Sequence, residues 1–309
     1  MKITVSAFWY TFIKGTGGIW VTKPGDKVFV DERGLERDRK WVVVDEREHN
    51  MFVTQRSSNG QGIEVISMCQ ITARIECGGL VLRAPGMEDL HLPFDGTVAP
   101  VVTVQVWSNS SLYGVDEGKA VSAWLSEFLS RERPGTYRLV RMAMTCRRPS
   151  KRGGSIMGFH DAYPFMIISS ESLGGLNGKL LKNNEDAVQM SRFRPNIVFS
   201  GCGAHAEDLW SRFRIGGVEF YGGTLCDRCA VIRTDQTKAV RHKSEPTATL
   251  ATYRKGTHLL ADFRYCDRRE LGIEVKPNAV FFGRNADFDL DGERRNGGMM
   301  CVGDEVEIL

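Results

Sequence analysis

No apolar run in these 309 residues approaches the roughly 20 that a membrane-spanning helix needs, so no membrane span or anchor is expected within the chain. A dominant charge sign is missing too. The 41 basic residues are interspersed with 38 acidic ones for a net charge of +3, too thin a positive field for a nucleic-acid surface. The eight cysteines, at 69, 77, 146, 202, 226, 229, 266 and 301, show no secretory spacing, and no apolar leader with a cleavage site precedes them. They read as free thiols in a reducing, cytoplasmic setting, not a secreted one. The histidines, at 49, 91, 160, 205, 242 and 258, show neither i,i+4 pairing nor a common motif, which argues against a histidine metal site. Internal repeats, heptads and low-complexity tracts are also absent.

What is present is short-strand patterning. The length fits one elongated or two compact domains. Ile3, Val5, Ala7 and Trp9 alternate, and strands over 41–45 and 51–54 flank a polar turn, which predicts a β-barrel or sandwich over residues 1–115. Between Asp116 and Ser130, apolar residues at Ala120, Val121, Trp124, Leu125, Phe128 and Leu129 recur at helical spacing. They predict a helix capped by Asp116, acting as a hinge within a 116–135 connection. A basic, unpatterned loop follows from Arg147 to Gly158, to be either disordered or functional. The second unit, 136–309, carries expected strands at 163–168, 196–200, 218–221, 230–234 and 302–309, with a short helix capped by Ser169 or Ser170. The expected class is α+β, predominantly β.

Cys226-Asp227-Arg228-Cys229 is the first chemical candidate. A C-x-x-C can be half a zinc site, a dithiol or two unrelated thiols. A zinc site needs two further soft ligands, and no second pair exists; a dithiol needs a helix after it, whereas Val231, Ile232 and Thr234 predict a strand. There remain a single thiolate beside Arg228, offered to a soft metal that brings its other ligands, and a buried structural cysteine. Arg194 and Asn196 stand at the mouth of an apolar strand, where a guanidinium and an amide suit a phosphate or heterocycle edge, or a plain surface turn. Asp161 stands ahead of the Tyr163 strand, able to accept from ring N–H groups. Lys14 and Gly15 lie in a Gly-rich turn suited to an anion, without the order of a P-loop, and Arg39 precedes the Trp41 strand.

Taken in order, six segments resemble the MOSC family, specifically the amidoxime-reducing components. They are GLERDRKWVVVD (34–45), YPFMIISSESLGGLN (163–177), FRPNIVFSG (193–201), AEDLW (206–210), CDRC (226–229) and EPTATLATYR (245–254). The resemblance implies an N-terminal β-barrel domain packed against a β-barrel MOSC domain with peripheral helices, and a molybdenum cofactor, molybdopterin, in the cleft between them. It implies that Cys229 ligates molybdenum while Cys226 is only a neighbour, and that Lys14, Arg39, Arg194 and Asn196 hold the pterin and its phosphate. Gly15, Asp161, Tyr163 and Arg228 complete the expected cofactor contacts, with Cys229 and Asp161 as the catalytic residues. Two departures from the family pattern stand out: Gly15 and Tyr163 both occupy positions where serine is common.

The implied reaction is reduction of N-hydroxylated compounds such as amidoximes and hydroxylamines. A non-catalytic cofactor or sulfur carrier is the alternative. No G-x-G-x-x-G fingerprint or four-cysteine ferredoxin spacing is present, so electrons would come from outside; the resemblance implies a cytochrome b5-type carrier and its NADH-dependent reductase as the source. The basic residues Arg147, Arg148, Lys151 and Arg152 are a candidate docking patch for that carrier. No pyridoxal phosphate is expected, and the resemblance admits a location peripheral to a mitochondrial membrane.

Overall fold

A computed structural model of the chain describes residues 2–56, 61–94, 100–262, 275–289 and 298–309. Five strands close into a barrel. Trp41–Asp45 pairs with Met51–Thr54 on one side and Tyr137–Met142 on the other; Asn109–Asp116 and Val101–Val106 follow, and Gln105 returns to Met51. Side chains alternate across this sheet, so Val42, Val44, Val104, Val106, Leu112 and Val140 form one core with Phe52 and Phe159. Trp41, Val43 and Leu139 face the other way. They pack against the helix Lys119–Leu129 and a three-stranded sheet over 72–76, 79–83 and 90–93. Covered on both faces, the WVVVD strand is buried at every position.

That helix differs from expectation in two ways. Gly118, at φ +97°, is its N-cap; Asp116 ends the preceding strand, accepts from the Gly118 N–H at 2.9 Å and pairs with Arg138. Nor is the helix a hinge, because Val121, Trp124, Leu125, Phe128 and Leu129 bury into the barrel's outer core and the next strand, Tyr137–Met142, is a barrel strand.

The second large sheet is curled, with strand order 306–308, 212–215, 218–227, 281–289, 165–169, 197–200, 4–10 and 19–21. Its apolar core is rich in phenylalanine, with Phe165, Phe199, Phe213, Phe220 and Phe288 buried together. The first strand of the chain lies in this sheet, Thr4 opposite Ser200, so pairing joins the N-terminal segment to the second half of the sequence. Ser169 caps the helix Ser170–Lys182 through the Ser172 N–H at 3.1 Å, and Leu176 and Leu180 bury beneath it. The strand expected over 230–234 is instead a 3-10 turn, Ala230–Arg233, with Cys229 as its N-cap and only Thr234–Asp235 extended. Burial of Ile232 decides this against the β-branched preference of the segment.

The basic loop is built rather than loose. Pro149 bridges to Ile156, and the hydroxyls of Ser150 and Ser155 both donate to the buried carboxylate of Asp287. Arg148 turns inward and donates to the carbonyls of Gly158, His160 and Asp161, which removes it from the proposed docking patch. Seven cysteines are free thiols, and Cys266 lies outside the described residues.

Candidate functional site

Between the barrel and the curled sheet lies a cavity of about 300 Å³. Lys14, Gly15, Arg39, Asp161, Tyr163, Arg194, Asn196, Arg228 and Cys229, all singled out from sequence, line it. The barrel side supplies Lys14, on a two-residue strand paired with Trp41–Asp45, and Arg39, from the turn that enters that strand. The curled sheet supplies Asn196 at the mouth of Ile197–Ser200, and Arg228 and Cys229 just beyond Val218–Asp227. Arg39 and Arg194 have φ of +48° and +57°, unusual values for residues with a side chain and common where a side chain must be aimed.

A carboxylate that sequence reasoning passed over organises the centre of this arrangement. Asp38 is fully buried and accepts from the Thr11 N–H at 2.7 Å, the Asn196 amide at 2.7 Å, the Arg39 guanidinium and His160 Nε2 at 3.2 Å. Burial opposes its charge, but Arg39 and the hydrogen bond from His160 outweigh that and hold its carboxyl below the usual range. The imidazole of His160 is itself pushed down to about 4 by burial, so it is neutral at pH 7 and serves as a donor to Asp38. Arg39 and Asn196 are thus aimed by one anion beneath the cavity floor.

Lys14, 7% exposed, donates to Asp161 Oδ1 at 2.6 Å, and the Trp107 indole N–H donates to the same oxygen at 2.8 Å. Burial lowers the Lys14 ammonium against the pull of Asp161. The Asp161 side chain is 67% exposed, yet protein atoms crowd it enough to oppose its charge; Lys14 and the two hydrogen bonds prevail and hold the carboxyl well below the usual range. No hydrogen bond to Asp161 Oδ2 occurs among the described residues, which leaves an ionised acceptor for a ligand N–H.

The two guanidiniums contributed from the curled-sheet side have no carboxylate partner among the described residues. Arg194 donates to the Thr16 carbonyl at 2.8 Å and lies 4.8 Å from the Trp9 ring centroid; burial, with Arg39 nearby, pushes it down to about 9. Arg228 donates to Cys226 Sγ at 2.9 Å and to the Phe193 carbonyl at 2.7 Å. The arginine therefore serves Cys226 rather than Cys229, while burial raises the Cys226 thiol. Cys229 remains a half-buried free thiol on the cavity wall. Among the described residues no group of three or more His, Cys, Asp or Glu side chains is arranged to hold a metal, so a metal here would meet one protein sulfur and bring its other ligands with it.

These features fit an anionic heterocycle. Guanidiniums without a carboxylate partner among the described residues could meet a phosphate, and Asp161 Oδ2 could accept from a ring N–H. Gly15 has φ +88°, a conformation that residues with a side chain rarely adopt, which accounts for glycine at this position. Tyr163 is accommodated by the missing side chain of Gly223, whose Cβ would lie 2.5 Å from the tyrosine ring. Besides Asp38 and His160, Gln55, Arg56, Trp107 and Arg148 were not assigned to the site from sequence. Gln55 and Gln236 exchange a reciprocal amide pair, at 2.9 and 2.8 Å, that fixes the Gly15 carbonyl at 2.7 Å. The only sequence signal for these residues was polarity inside or beside a strand otherwise buried.

Comparison with known proteins agrees with this architecture. The MOSC N-terminal beta barrel domain matches residues 2–132 and the MOSC domain residues 155–307. Mitochondrial amidoxime-reducing component 1 of Homo sapiens is 31% identical, over 99% of this chain and 83% of its own length. Its counterpart in Mus musculus is 31% identical over 99% and 82%, and that of Danio rerio 33% identical over 72% and 65%. With both domains matched and the identity spread over nearly its whole length, the chain belongs to the MOSC family.

Proposed function

We propose that the chain is a molybdenum cofactor-dependent reductase of N-hydroxylated compounds, amidoximes and hydroxylamines, fed by an external electron carrier. One observation carries this reading: the Cys229 thiol shares a cavity with Arg194 and Arg228, two guanidiniums that pair with no carboxylate among the described residues. When bound, the cofactor supplies two-electron exchange and an open oxygen position. Arg194, with Lys14 and Arg39 behind it, offsets the desolvation of the pterin phosphate, while Asn196 and Asp161 Oδ2 orient the ring. Cys229 supplies the protein sulfur, and Gly15 and Tyr163 shape the rim. The relatives' names support the substrate class. A cytochrome b5-type carrier with an NADH-dependent reductase is the proposed donor pair, docking against Arg147, Lys151 and Arg152. The site of action is proposed as cytoplasmic or the periphery of a mitochondrial membrane; no helix of the described residues is long and apolar enough to cross one.

The test is metal analysis together with benzamidoxime reduction by a chemical electron donor. Wild type is expected to hold about one molybdenum per chain and to turn over. Cys229→Ala is expected to lose activity entirely, while Cys226→Ala keeps its molybdenum. Molybdenum without turnover would favour a cofactor carrier, and full activity in Cys229→Ala would sink the assignment of the thiolate.

A further inference from the structure

The hairpin joining the barrel strands Val101–Val106 and Asn109–Asp116 turns through two residues, since Val106 faces Asn109. The first of them has φ +53°, where such hairpins favour glycine and where a bulky residue is a steric outlier. That residue is Trp107. Strain of this kind persists only where surrounding contacts over-determine it, and it concentrates where a side chain must be aimed. Three contacts hold this one. The indole N–H donates to Asp161 Oδ1 at 2.8 Å, the Phe52 ring meets it edge-on at 4.7 Å between centroids, and the Arg56 guanidinium lies 4.6 Å from its centroid. Trp107, Arg56 and Asp161 all line the cavity.

Arg56 has no carboxylate partner among the described residues. Packing on an indole uses the face of a guanidinium and leaves its N–H edge for a planar anion. Lys14 and Arg39 are already engaged by Asp161 and Asp38. An aromatic plate and a carboxylate-matching fork are therefore mounted side by side on the barrel's contribution to the wall.

We propose that Trp107 and Arg56 select the substrate, and that the class they select is a planar, conjugated N-hydroxylated compound bearing a carboxylate. The ring packs against Trp107 and the carboxylate meets the Arg56 edge. This rests on the reductase reading above and names the substrate class of that same site.

The experiment compares kcat/KM for 4-carboxybenzamidoxime, benzamidoxime and acetamidoxime in the full-length holoprotein with a chemical electron donor. Wild type is expected to favour the carboxylated over the plain aryl compound by about fivefold, the size of one partly exposed charge-assisted contact. Arg56→Gln brings that ratio to about one. Trp107→Gly, which suits the turn backbone, collapses the preference for benzamidoxime over acetamidoxime. A merely structural role would lower all three substrates together and leave both ratios in place. Calorimetric binding of 4-amidinobenzoate provides a readout independent of turnover and is expected to weaken about fivefold in Arg56→Gln. Ratios and binding unchanged in the variants would overturn the selecting wall, as would loss of molybdopterin from Arg56→Gln. Wild type that holds molybdenum but reduces none of the three would overturn the reductase reading, and equal binding of 4-amidinobenzoate to wild type and Arg56→Gln would then overturn the wall as well.

Discussion

Four of the cations around the cavity fall into two sets that differ in what holds them. Lys14 and Arg39, from the barrel side, each face a carboxylate: Asp161 for the lysine, buried Asp38 for the arginine. Arg194 and Arg228, from the curled sheet, are held by carbonyls, a thiol and aromatic faces. The first set is an internal matter of the fold, with charge balanced before any ligand arrives. The second, which Arg56 of the barrel side joins, brings charge that no carboxylate among the described residues pairs with. Stability should therefore depend mainly on the paired cations and anion affinity mainly on the unpaired ones.

The largest effect expected is at Asp38. Asp38→Asn strips a buried guanidinium of its partner and should cost about 3 kcal/mol or more in urea unfolding. A cost under about 1 kcal/mol would show that Arg39 relaxes into solvent and is not held by the fold. Next comes Arg194→Gln, expected to cut molybdopterin affinity about tenfold, as measured by occupancy against added cofactor, with an apo-protein melting temperature equal to or above wild type. A fall in both together would erase the distinction between the sets.

The pH dependence sharpens it further. His160 is pushed from 6.5 to about 4, so the unfolded chain binds more protons between those values. Its contribution to stability is fully present above pH 6.5 and is lost as pH falls toward 4, by about 3 kcal/mol in all. Glu207, buried and raised to about 7, works the other way: the folded chain holds its proton longer, so stability falls as pH rises from 4.5 toward 7. The His160 contribution is thus read as a difference, with His160→Gln expected to lose stability less steeply on acidification than wild type. The smallest effect is expected on the surface. Reversing the charge of Arg147, Lys151 and Arg152 should reduce the salt dependence of electron delivery from an acidic carrier, with turnover from a chemical donor unaltered.

Legibility in the sequence followed the same division. Lys14, Arg39, Arg194, Asn196 and Cys229, each in a turn or at a strand mouth, admitted a plain structural reading singly; the family resemblance drew them together, and the fold sets them around one cavity. Asp38 was not legible, because a carboxylate between two arginines in a turn looks solvated; its four donors come from Thr11, Arg39, His160 and Asn196, up to 158 positions away. Trp107 was not singled out, since nothing local announces a positive φ. The barrel strands followed their alternation, but Ala230–Arg233 followed burial instead of β propensity, and Asp116 fell two residues short of the helix because Gly118 makes the turn. Arg148 counted as surface charge until the fold of its loop turned it toward three carbonyls.

The pairing of the first strand with Ile197–Ser200 has a consequence for how the molecule comes to exist. Thr4 meets Ser200, and Phe8 meets Ile197, so this strand has only the short strand Ile19–Val21 beside it until a partner nearly two hundred residues further on is made. Contacts this distant in sequence are slow to form, and an apolar strand with one edge open can pair with the wrong chain meanwhile. Synthesis of this protein should lean on chaperones at that stage, and a nascent chain stalled before residue 197 should remain protease-sensitive at Thr4–Tyr10 long after its barrel has closed.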